Sequence, residues 1–325
     1  MTSQTAKFCN LLEELARLSN LLGHNYRAAA YRRAKVAIAI TKKSIEDWNT
    51  LPGVGKSISA KIEEFRKTGK LAKVMKLQNR PLIKSIERLQ KIKGIGPRTA
   101  KELAKKGIHT KTALLKEVRN GAVRLTSTQR TCLTHYADLT KRIPLKEADR
   151  FKTCFVKAAK KVDPNVECSL LGSYRRLKSK RSKLGTVGDL DVLLFQRKTV
   201  KTLDDVMNSS ILRDFANQTK SIVHWMKVIS EGKYKIWALV RLERDSRVRH
   251  LDIRLFPAES YVTGMLHFTG SKTHNQMLRL QAIKLGMHLS EYELRDEKTN
   301  KRILLKTERD VYRRLRLSYI SPGKR

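Results

Sequence analysis

At residues 188–194 the chain reads Gly-Asp-Leu-Asp-Val-Leu-Leu, and this stretch decides how the second half of the sequence is expected to fold. Successive side chains of a β-strand point to opposite faces. Leu190 and Val192 are therefore expected to enter a core, while Asp189 and Asp191 share the other face. The pattern predicts a strand with two carboxylates on its polar side.

A second acidic strand is predicted at Leu251-Asp252-Ile253, where His250, Asp252 and Arg254 alternate with apolar residues. If the two strands are neighbours, three carboxylates meet. Such a cluster on a basic chain is costly unless hard cations neutralise it. Mg²⁺ held by carboxylates and substrate phosphates would do so.

The composition indicates a polyanionic partner. The 325 residues are enough for about two domains, and 70 Lys and Arg against 30 Asp and Glu give a formal net charge of +40. Nucleic acid is a better partner for this charge than an anionic membrane. No apolar run approaches the roughly 18 residues of a spanning helix, and no signal-peptide pattern begins the chain. We expect an intracellular protein that is neither secreted nor bound to a membrane.

The four cysteines, Cys9, Cys132, Cys154 and Cys168, are scattered without a Cys-x-x-Cys pair. This spacing argues against a zinc finger and against a disulfide framework. We interpret them as reduced structural thiols.

Residues 1–144 are predicted to be helical, and they contain one pattern twice. Leu-Pro-Gly-Val-Gly-Lys-Ser at 51–57 and Ile-Lys-Gly-Ile-Gly-Pro at 92–97 each precede a predicted helix. The first is not a nucleotide-binding P-loop, because Thr50 stands where that motif needs its first glycine. The repeat is instead typical of helix-hairpin-helix modules, which hold the DNA backbone without reading sequence. The glycines that would let a phosphate approach are Gly53, Gly55, Gly94 and Gly96.

From Cys154 onward the pattern predicts an α+β domain. A strand at 166–171 and a hairpin within 228–242 join the two acidic strands, and helices at 151–162 and near 203–215 should cover one face of the sheet. An amphipathic helix is predicted from about 275 to 285.

Residues 171–176 read Leu-Gly-Ser-Tyr-Arg-Arg. A glycine at a strand-to-helix turn, the Ser173 hydroxyl and Arg176 would form a phosphate cradle. Gly-Ser, a distal Gly-Asp-x-Asp and a third Asp on a later strand are together specific for the nucleotidyltransferase superfamily. On these residues the chain closely resembles DNA polymerase family X, in particular the beta and lambda type.

The resemblance covers nearly the whole chain and implies its domain organisation. It predicts an all-helical lyase-like domain at 1–78 and a helical DNA-binding subdomain at 79–144. A nucleotidyltransferase palm with a mixed β-sheet would follow at 145–258, and a small α+β nucleotide-selection subdomain at 259–325. The implied fold class is α+β.

The resemblance also implies the roles of individual residues. Asp189 and Asp191 would bridge two Mg²⁺ ions, for which Mn²⁺ can substitute, and Asp252 would bind the catalytic ion and help activate the primer 3′-hydroxyl. The incoming nucleotide would be contacted at its triphosphate by Arg142, Ser173, Arg176 and Gly188, at its sugar by His267, Phe268 and Gly270, and at its base by Asn275. Further DNA contacts would come from Tyr31, Arg254 and Arg279.

Lys61 falls where family X lyases place the lysine that forms a Schiff base with a 5′-deoxyribose phosphate. A lysine is a nucleophile at neutral pH only when its pKa is depressed. Ser57 and Ala60 replace a lysine and a glutamate of the beta type near this position. His267 likewise replaces a more usual tyrosine, and Lys272 stands where an acidic residue is common.

A basic insertion, Lys-Ser-Lys-Arg-Ser-Lys at 178–183, lengthens the link to Gly188. A disordered loop, an additional DNA contact and a nuclear-targeting patch are alternative interpretations, and the DNA contact is slightly favoured.

The resemblance implies a template-directed DNA polymerase that fills short gaps in base excision repair and carries a deoxyribose-phosphate lyase. Its partners would be gapped or nicked double-stranded DNA and dNTPs, and it would act as a monomer in the nucleus or in a viral replication compartment. Two alternatives stay open: a terminal transferase, against which the short segment 242–248 argues, and a DNA-binding scaffold whose polymerase site has decayed.

Overall fold

The computed structural model describes residues 3–41, 44–180 and 184–325. The chain divides into two compact units, one up to Tyr136 and one from Ala137 onward. Of the predicted basic insertion, residues 181–183 lie outside the described part. The predicted division into four segments, with boundaries after residues 78, 144 and 258, stays a prediction.

The first unit is helical, as predicted. Leu12, Leu15 and Leu18 recur at helical spacing and are fully buried, so the first helix packs its apolar face inward. One core runs from Phe8 to Leu133. The helices are α1 Ser3–Leu21, α2 Asn25–Ile40, α3 Lys56–Thr68, α4 Ala72–Gln78, α5 Pro81–Gln90, α6 Pro97–Lys105, α7 Lys111–Arg119 and α8 Ser127–Thr134, with a 3₁₀ turn at Ile45–Thr50. A short helix, α9 Tyr136–Leu139, begins at the last residue of this unit and ends in the second.

The second unit is built on a mixed five-stranded sheet, and the predicted α+β class is confirmed. The strand order is β2-β4-β7-β6-β5, in which β4 and β7 are parallel and the other neighbours antiparallel. The strands are β1 Ile143–Pro144, β2 Val166–Leu170, β3 Thr186–Val187, β4 Leu190–Gln196, β5 Trp225–Glu231, β6 Lys235–Arg241, β7 Arg249–Phe256, β8 Met287–Leu289 and β9 Leu294–Asp296. The helices are α10 Leu145–Val162, α11 Gly172–Ser179, α12 Leu203–Asn208, α13 Ile211–Ile222, α14 Tyr261–Thr269, α15 Lys272–Lys284 and α16 Glu308–Arg314.

Strands β4 and β7, which are neighbours inside the sheet, are buried on both faces. Phe155 on α10 and Phe215 on α13 belong to the core on one face, and Leu193 and Phe195 of β4 pack with Phe256 on the other. This explains the uninterrupted apolar run after Asp191, which a strand exposed on one face would not need. The C-terminal segment adds its own small core around Tyr312.

The helix predicted near 203–215 is two helices, α12 and α13. The chain leaves helical geometry at Ser209, whose hydroxyl accepts the Ile211 N–H at 3.1 Å. The Ser210 hydroxyl in turn donates to Asp214 at 2.7 Å. Serine side chains compete in this way with the backbone bonds of a helix, so the apolar spacing alone did not predict the break.

Candidate active site and nucleic-acid interface

The two predicted acidic strands are neighbours. The parallel register of β4 and β7 pairs Asp191 with Asp252. The residues that precede them in these strands, Leu190 and Leu251, are fully buried, as the alternation predicted. Asp189 lies in the bend immediately before β4, and its charge acts on Asp191.

The three carboxylates form an electrostatically crowded centre. Burial, followed by repulsion from Asp189 and Asp252, raises the pKa of Asp191 to about 7, although Arg176 and Arg254 oppose the shift. A carboxylate that is both desolvated and close to like charges resists ionisation. The centre is therefore poised to take up positive charge.

Gly172 is part of this centre, although sequence reasoning identified it only as a turn residue. It has a positive φ of +57°, and a Cβ built on it would lie 2.0 Å from Asp191 Oδ2. The Leu171 N–H donates to the Asp191 carbonyl at 2.8 Å. The start of α11, with Ser173 as its second residue, is thus fixed directly against β4.

Two cationic side chains, Lys235 and Arg254, lie beside the Asp252 carboxylate. Lys235 Nζ donates to Asp252 Oδ2 at 2.8 Å, and Arg254 Nε lies 3.5 Å from Oδ1. Arg254, predicted as a DNA contact, also lies over the Phe268 ring at 4.9 Å. Lys235 was missed from the sequence. Its polar position before buried Ile236 was visible there, but its approach to Asp252 depends on the pairing of β6 with β7.

The donor set of this centre suits a hard cation. In the described part of the chain, no group of three or more His, Cys, Asp or Glu residues has an arrangement that could already hold a metal ion. The available ligands are carboxylate oxygens, which Mg²⁺ prefers. Asp252 Oδ1 is buried and has no hydrogen-bond partner within the described residues. An oxygen in this state, beside a crowded Asp191, fits a cation ligand.

Arg142 and Arg176, two of the predicted triphosphate contacts, both donate hydrogen bonds to backbone carbonyls. Arg142 donates from Nε to Thr186 Oγ1 and from Nη2 to the Thr186 carbonyl, both at 2.7 Å. Its Nη1 is 3.9 Å from the point a Cβ on Gly188 would occupy. Arg176 Nη1 donates to the Thr269 carbonyl at 2.5 Å. The fold therefore holds both guanidinium groups through hydrogen bonds that an anion can replace.

The C-terminal site residues form one connected group. Asn275 Nδ2 donates to the His267 carbonyl at 2.7 Å, and Arg279 Nη2 is 3.3 Å from His267 Nδ1. Burial lowers the pKa of His267, although Glu291 opposes the shift. Phe268 packs edge-on against Phe256, and Gly270 ends α14. Because arginine can only donate, Nδ1 of His267 is the acceptor.

The two predicted hairpins have the same backbone conformation. Gly53 and Gly94 both have a φ of +84°, and Gly55 and Gly96 leave open space where a Cβ would be. Gly55 and Gly96 are also the N-cap residues of α3 and α6, without a capping side chain. Each hairpin thus offers a helix N-terminus that a phosphate can approach closely.

Lys61 lies on α3 with its side chain buried, 8% exposed. Burial and the neighbouring Lys73 lower its pKa, and Glu64 opposes them. Its amine is 5.7 Å from the Tyr31 ring centroid. A cleft of about 770 Å³ is lined by Arg27, Tyr31, Gly53, Lys56, Ser57 and Lys73, among others; Lys61 is not itself a lining residue and adjoins the cleft through Tyr31 and Ser57. A lysine with a depressed pKa beside a cationic cleft is suited to nucleophilic attack on a phosphorylated aldehyde.

Known protein families match the chain along nearly its whole length. A helix-hairpin-helix domain matches residues 3–71, the fingers domain of DNA polymerase lambda 87–140, the DNA polymerase beta palm 142–258 and the DNA polymerase beta thumb 264–325. Palm, fingers and thumb define the class of the beta-type nucleotidyltransferases. The chain belongs to DNA polymerase family X.

Individual relatives agree with this assignment. DNA polymerase lambda of Rattus norvegicus is 29% identical over 346 residues, covering 100% of this chain and 57% of the relative. DNA polymerase lambda of Arabidopsis thaliana is 26% identical, and the match covers 97% of this chain and 61% of the relative. DNA polymerase/3'-5' exonuclease PolX of Bacillus subtilis (strain 168) is 26% identical, with 96% and 53% covered. The chain thus spans little more than half the length of these relatives.

Within the described ranges, no helix is both long and apolar enough to cross a membrane.

Proposed function

We propose that this protein is a template-directed DNA polymerase that fills short gaps in base excision repair, transferring nucleotides from dNTPs to a primer 3′-hydroxyl. The observation that carries the proposal is the pairing of Asp191 with Asp252 beside the Gly172 turn. In-line phosphoryl transfer depends on positioning of the phosphates and on neutralisation of their charge, and paired carboxylates beside a glycine turn could supply cation ligands and a phosphate contact.

In this proposal Asp189, Asp191 and Asp252 hold two Mg²⁺ ions. When bound, the ions would lower the pKa of the primer hydroxyl and neutralise charge on the triphosphate. The chain supplies orientation. Arg142, Ser173, Arg176 and Gly188 bind the triphosphate, His267, Phe268 and Gly270 flank the sugar, Asn275 contacts the base, and Arg279 contacts the template. The hairpins of 51–57 and 92–97 hold the DNA backbone, and Tyr31 and Arg254 are further predicted DNA contacts.

Extension of a labelled primer on a one-nucleotide gapped duplex tests the activity, with Mg²⁺, with Mn²⁺ and with a chelator. Asp252→Ala should abolish incorporation and leave DNA binding intact, because phosphate contacts elsewhere supply the affinity. Asp245→Ala, in the exposed loop before the same strand, is the matched control. Efficient addition to a lone single strand would favour a terminal transferase instead. Retained synthesis by Asp252→Ala would refute the metal assignment, and absence of synthesis by the intact protein would favour a scaffold.

We infer a second activity, removal of a 5′-deoxyribose phosphate by Lys61. Its amine would condense with the sugar aldehyde to form an imine. The aldehyde oxygen would leave as water, together with the two hydrogens of the amine. Loss of a C2′ proton from the protonated imine would break the C3′–O bond, with its electron pair going to the phosphate oxygen, and water would then release the lysine. The buried amine with its lowered pKa supports this role.

Borohydride trapping on an incised abasic duplex tests the lyase activity. Lys61→Ala should remove the trapped complex, whereas Lys67→Ala, exposed on the same helix, should retain it. Undiminished trapping by Lys61→Ala would exclude this lysine. A monomeric state, residence in the nucleus or a viral replication compartment, and a DNA contact by the insertion 178–183 remain predictions.

A further inference from the structure

Among the described residues, the side-chain hydrogen bonds of the Lys61 amine both go to one residue, Ser57. Nζ donates to the Ser57 carbonyl at 2.6 Å and to the Ser57 hydroxyl at 3.0 Å. In the part of the chain that the structure describes, no carboxylate forms an ion pair with it. Ser57 therefore provides both hydrogen-bond acceptors that face the nucleophile.

Helix geometry accounts for this contact. Ser57 and Lys61 are one turn apart on α3, and long side chains in a helix run back towards its N-terminus. The amine therefore lies over the first turn of a 13-residue helix. The positive end of the helix dipole lies there, and it disfavours an ammonium group relative to a neutral amine.

The number of acceptors matches a neutral amine. A neutral amine has two hydrogens and one lone pair, whereas an ammonium has three hydrogens and none. Two acceptors on Ser57 take both hydrogens of the neutral form and leave the lone pair free. A third hydrogen would have no protein acceptor among the described residues.

We propose that Ser57 is a positioning residue for Lys61, whose hydroxyl and carbonyl hold the two amine hydrogens so that the lone pair faces the cleft beside Tyr31. This inference rests on the lyase activity proposed above. The resemblance implies that Ser57 stands where the beta type has a lysine. An ammonium group at that position could not accept a hydrogen bond from Lys61.

Charged residues around the Lys61 amine shift its pKa, and we expect the Ser57 hydroxyl to shift it as well. Lys73 on α4 lowers the pKa of Lys61, and Glu64 on α3 raises it. Glu64 also accepts the Ala72 N–H at 2.6 Å, at the first residue of α4. Tyr31 from α2 presents its ring. An ammonium donates a stronger hydrogen bond than an amine. Removing the Ser57 hydroxyl should therefore lower the pKa of Lys61 further while it frees the amine to rotate.

The test is the rate of borohydride trapping from pH 5 to 9, at saturating 5′-incised abasic duplex, for the intact protein, Ser57→Ala, Ser57→Thr and Ser59→Ala. Ser59 is the matched control, since among the described residues its hydroxyl donates only to the Gly55 carbonyl, at 3.4 Å, and not to Lys61. Ser57→Ala should lower the plateau rate about three- to tenfold, as expected for one hydrogen bond. It should also move the midpoint down by roughly half a pH unit. Ser57→Thr and Ser59→Ala should match the intact protein.

The two readouts separate the explanations. A lower plateau with an unchanged midpoint would mean that Ser57 acts only on local structure, and would overturn the proposal. The proposal would also be overturned if the pH profile of Ser57→Ala matched that of the intact protein, or if its midpoint moved while its plateau rate stayed the same. Thermal unfolding of each variant shows that the fold is intact. If the intact protein gives no trapped complex, or Lys61→Ala traps as well as it does, the lyase activity itself fails, which is a different outcome.

Discussion

At the scale of single residues, Gly172 and Asp191 show how closely the acidic centre is packed. The Cα of Gly172 faces the carboxylate of Asp191, and no side chain fits between them. We predict that Gly172→Ala displaces this carboxylate and lowers gap filling by at least about 100-fold, the usual scale for a misplaced catalytic group. Single-nucleotide incorporation measures the loss.

A matched control is Gly286→Ala. Gly286 has a similar φ of +67°, with nothing within 4 Å of an added Cβ, so this variant carries backbone strain without the clash. If both variants lose incorporation equally, strain rather than the displaced carboxylate is the cause.

The raised pKa of Asp191 predicts a pH dependence of stability in the absence of metal. A folded-state pKa of about 7 lies above the unfolded value, so the folded state binds the extra proton. Its contribution to the free energy of unfolding is lost as pH rises towards and through 7. Asp191→Asn should therefore be more stable than the intact protein at pH 7.5, and the difference should shrink at pH 5.

Urea unfolding in the presence of a chelator at both pH values measures this difference. Asp245→Asn, in an exposed loop, should show no comparable change. A stability difference that does not vary with pH would contradict the assignment of the shift to Asp191.

At the scale of elements, a buried ion pair connects β7 to the segment that carries Arg142. Arg249 is 3% exposed and bonds Glu147 through both Nε and Nη2, each at 2.7 Å. Its Nη1 donates to the Lys141 carbonyl at 2.9 Å. The strand that carries Asp252 thus also fixes the backbone next to a predicted triphosphate contact.

We predict that Arg249→Met lowers the free energy of unfolding by about 3 kcal/mol, the lower end for a broken buried pair, since it leaves the Glu147 carboxylate, which is only 18% exposed, without its partner. Chemical denaturation checks this. Arg150→Met breaks an exposed pair with Glu243 and should cost at most about 1 kcal/mol. Adding Glu147→Met to Arg249→Met should restore part of the loss, and no restoration would contradict the proposed cause.

The same elements show what the sequence could predict. Alternation placed Asp191 and Asp252 on polar faces, and repeated glycines identified both hairpins, because these patterns are local. The contacts of Lys235 with Asp252 and of Arg249 with Glu147 depend on which strands and helices become neighbours. Local spacing does not contain that information. The Ser57 contact is an exception, since its spacing from Lys61 on one helix was visible in the sequence.

At the scale of the whole molecule, the charge of +40 predicts strongly salt-dependent DNA binding. Each neutralised phosphate releases counterions, so affinity for a gapped duplex should fall by roughly 10³–10⁵ between 50 and 200 mM salt if 6–10 phosphates are contacted. Fluorescence anisotropy across this range measures the slope. An affinity that hardly changes would show that phosphate contacts do not dominate.

The separate cores predict that the first unit folds alone. The core from Phe8 to Leu133 lies entirely within it. A protein ending at Tyr136 should therefore unfold cooperatively in urea and show helical circular dichroism. A broad, non-cooperative transition would contradict this.

The parallel pairing of Asp191 with Asp252 couples the strand register of β4 and β7 to the assembly of the acidic centre. A slip of β7 by one residue would turn Asp252 towards the core that holds Leu251 and Ile253 and would move Leu251 to the face of the acidic centre. The hydrophobic effect that penalises this error also penalises a misassembled acidic centre. Molecules in which β7 is out of register should therefore be unstable rather than merely inactive. The folded population should contain few inactive molecules with this error.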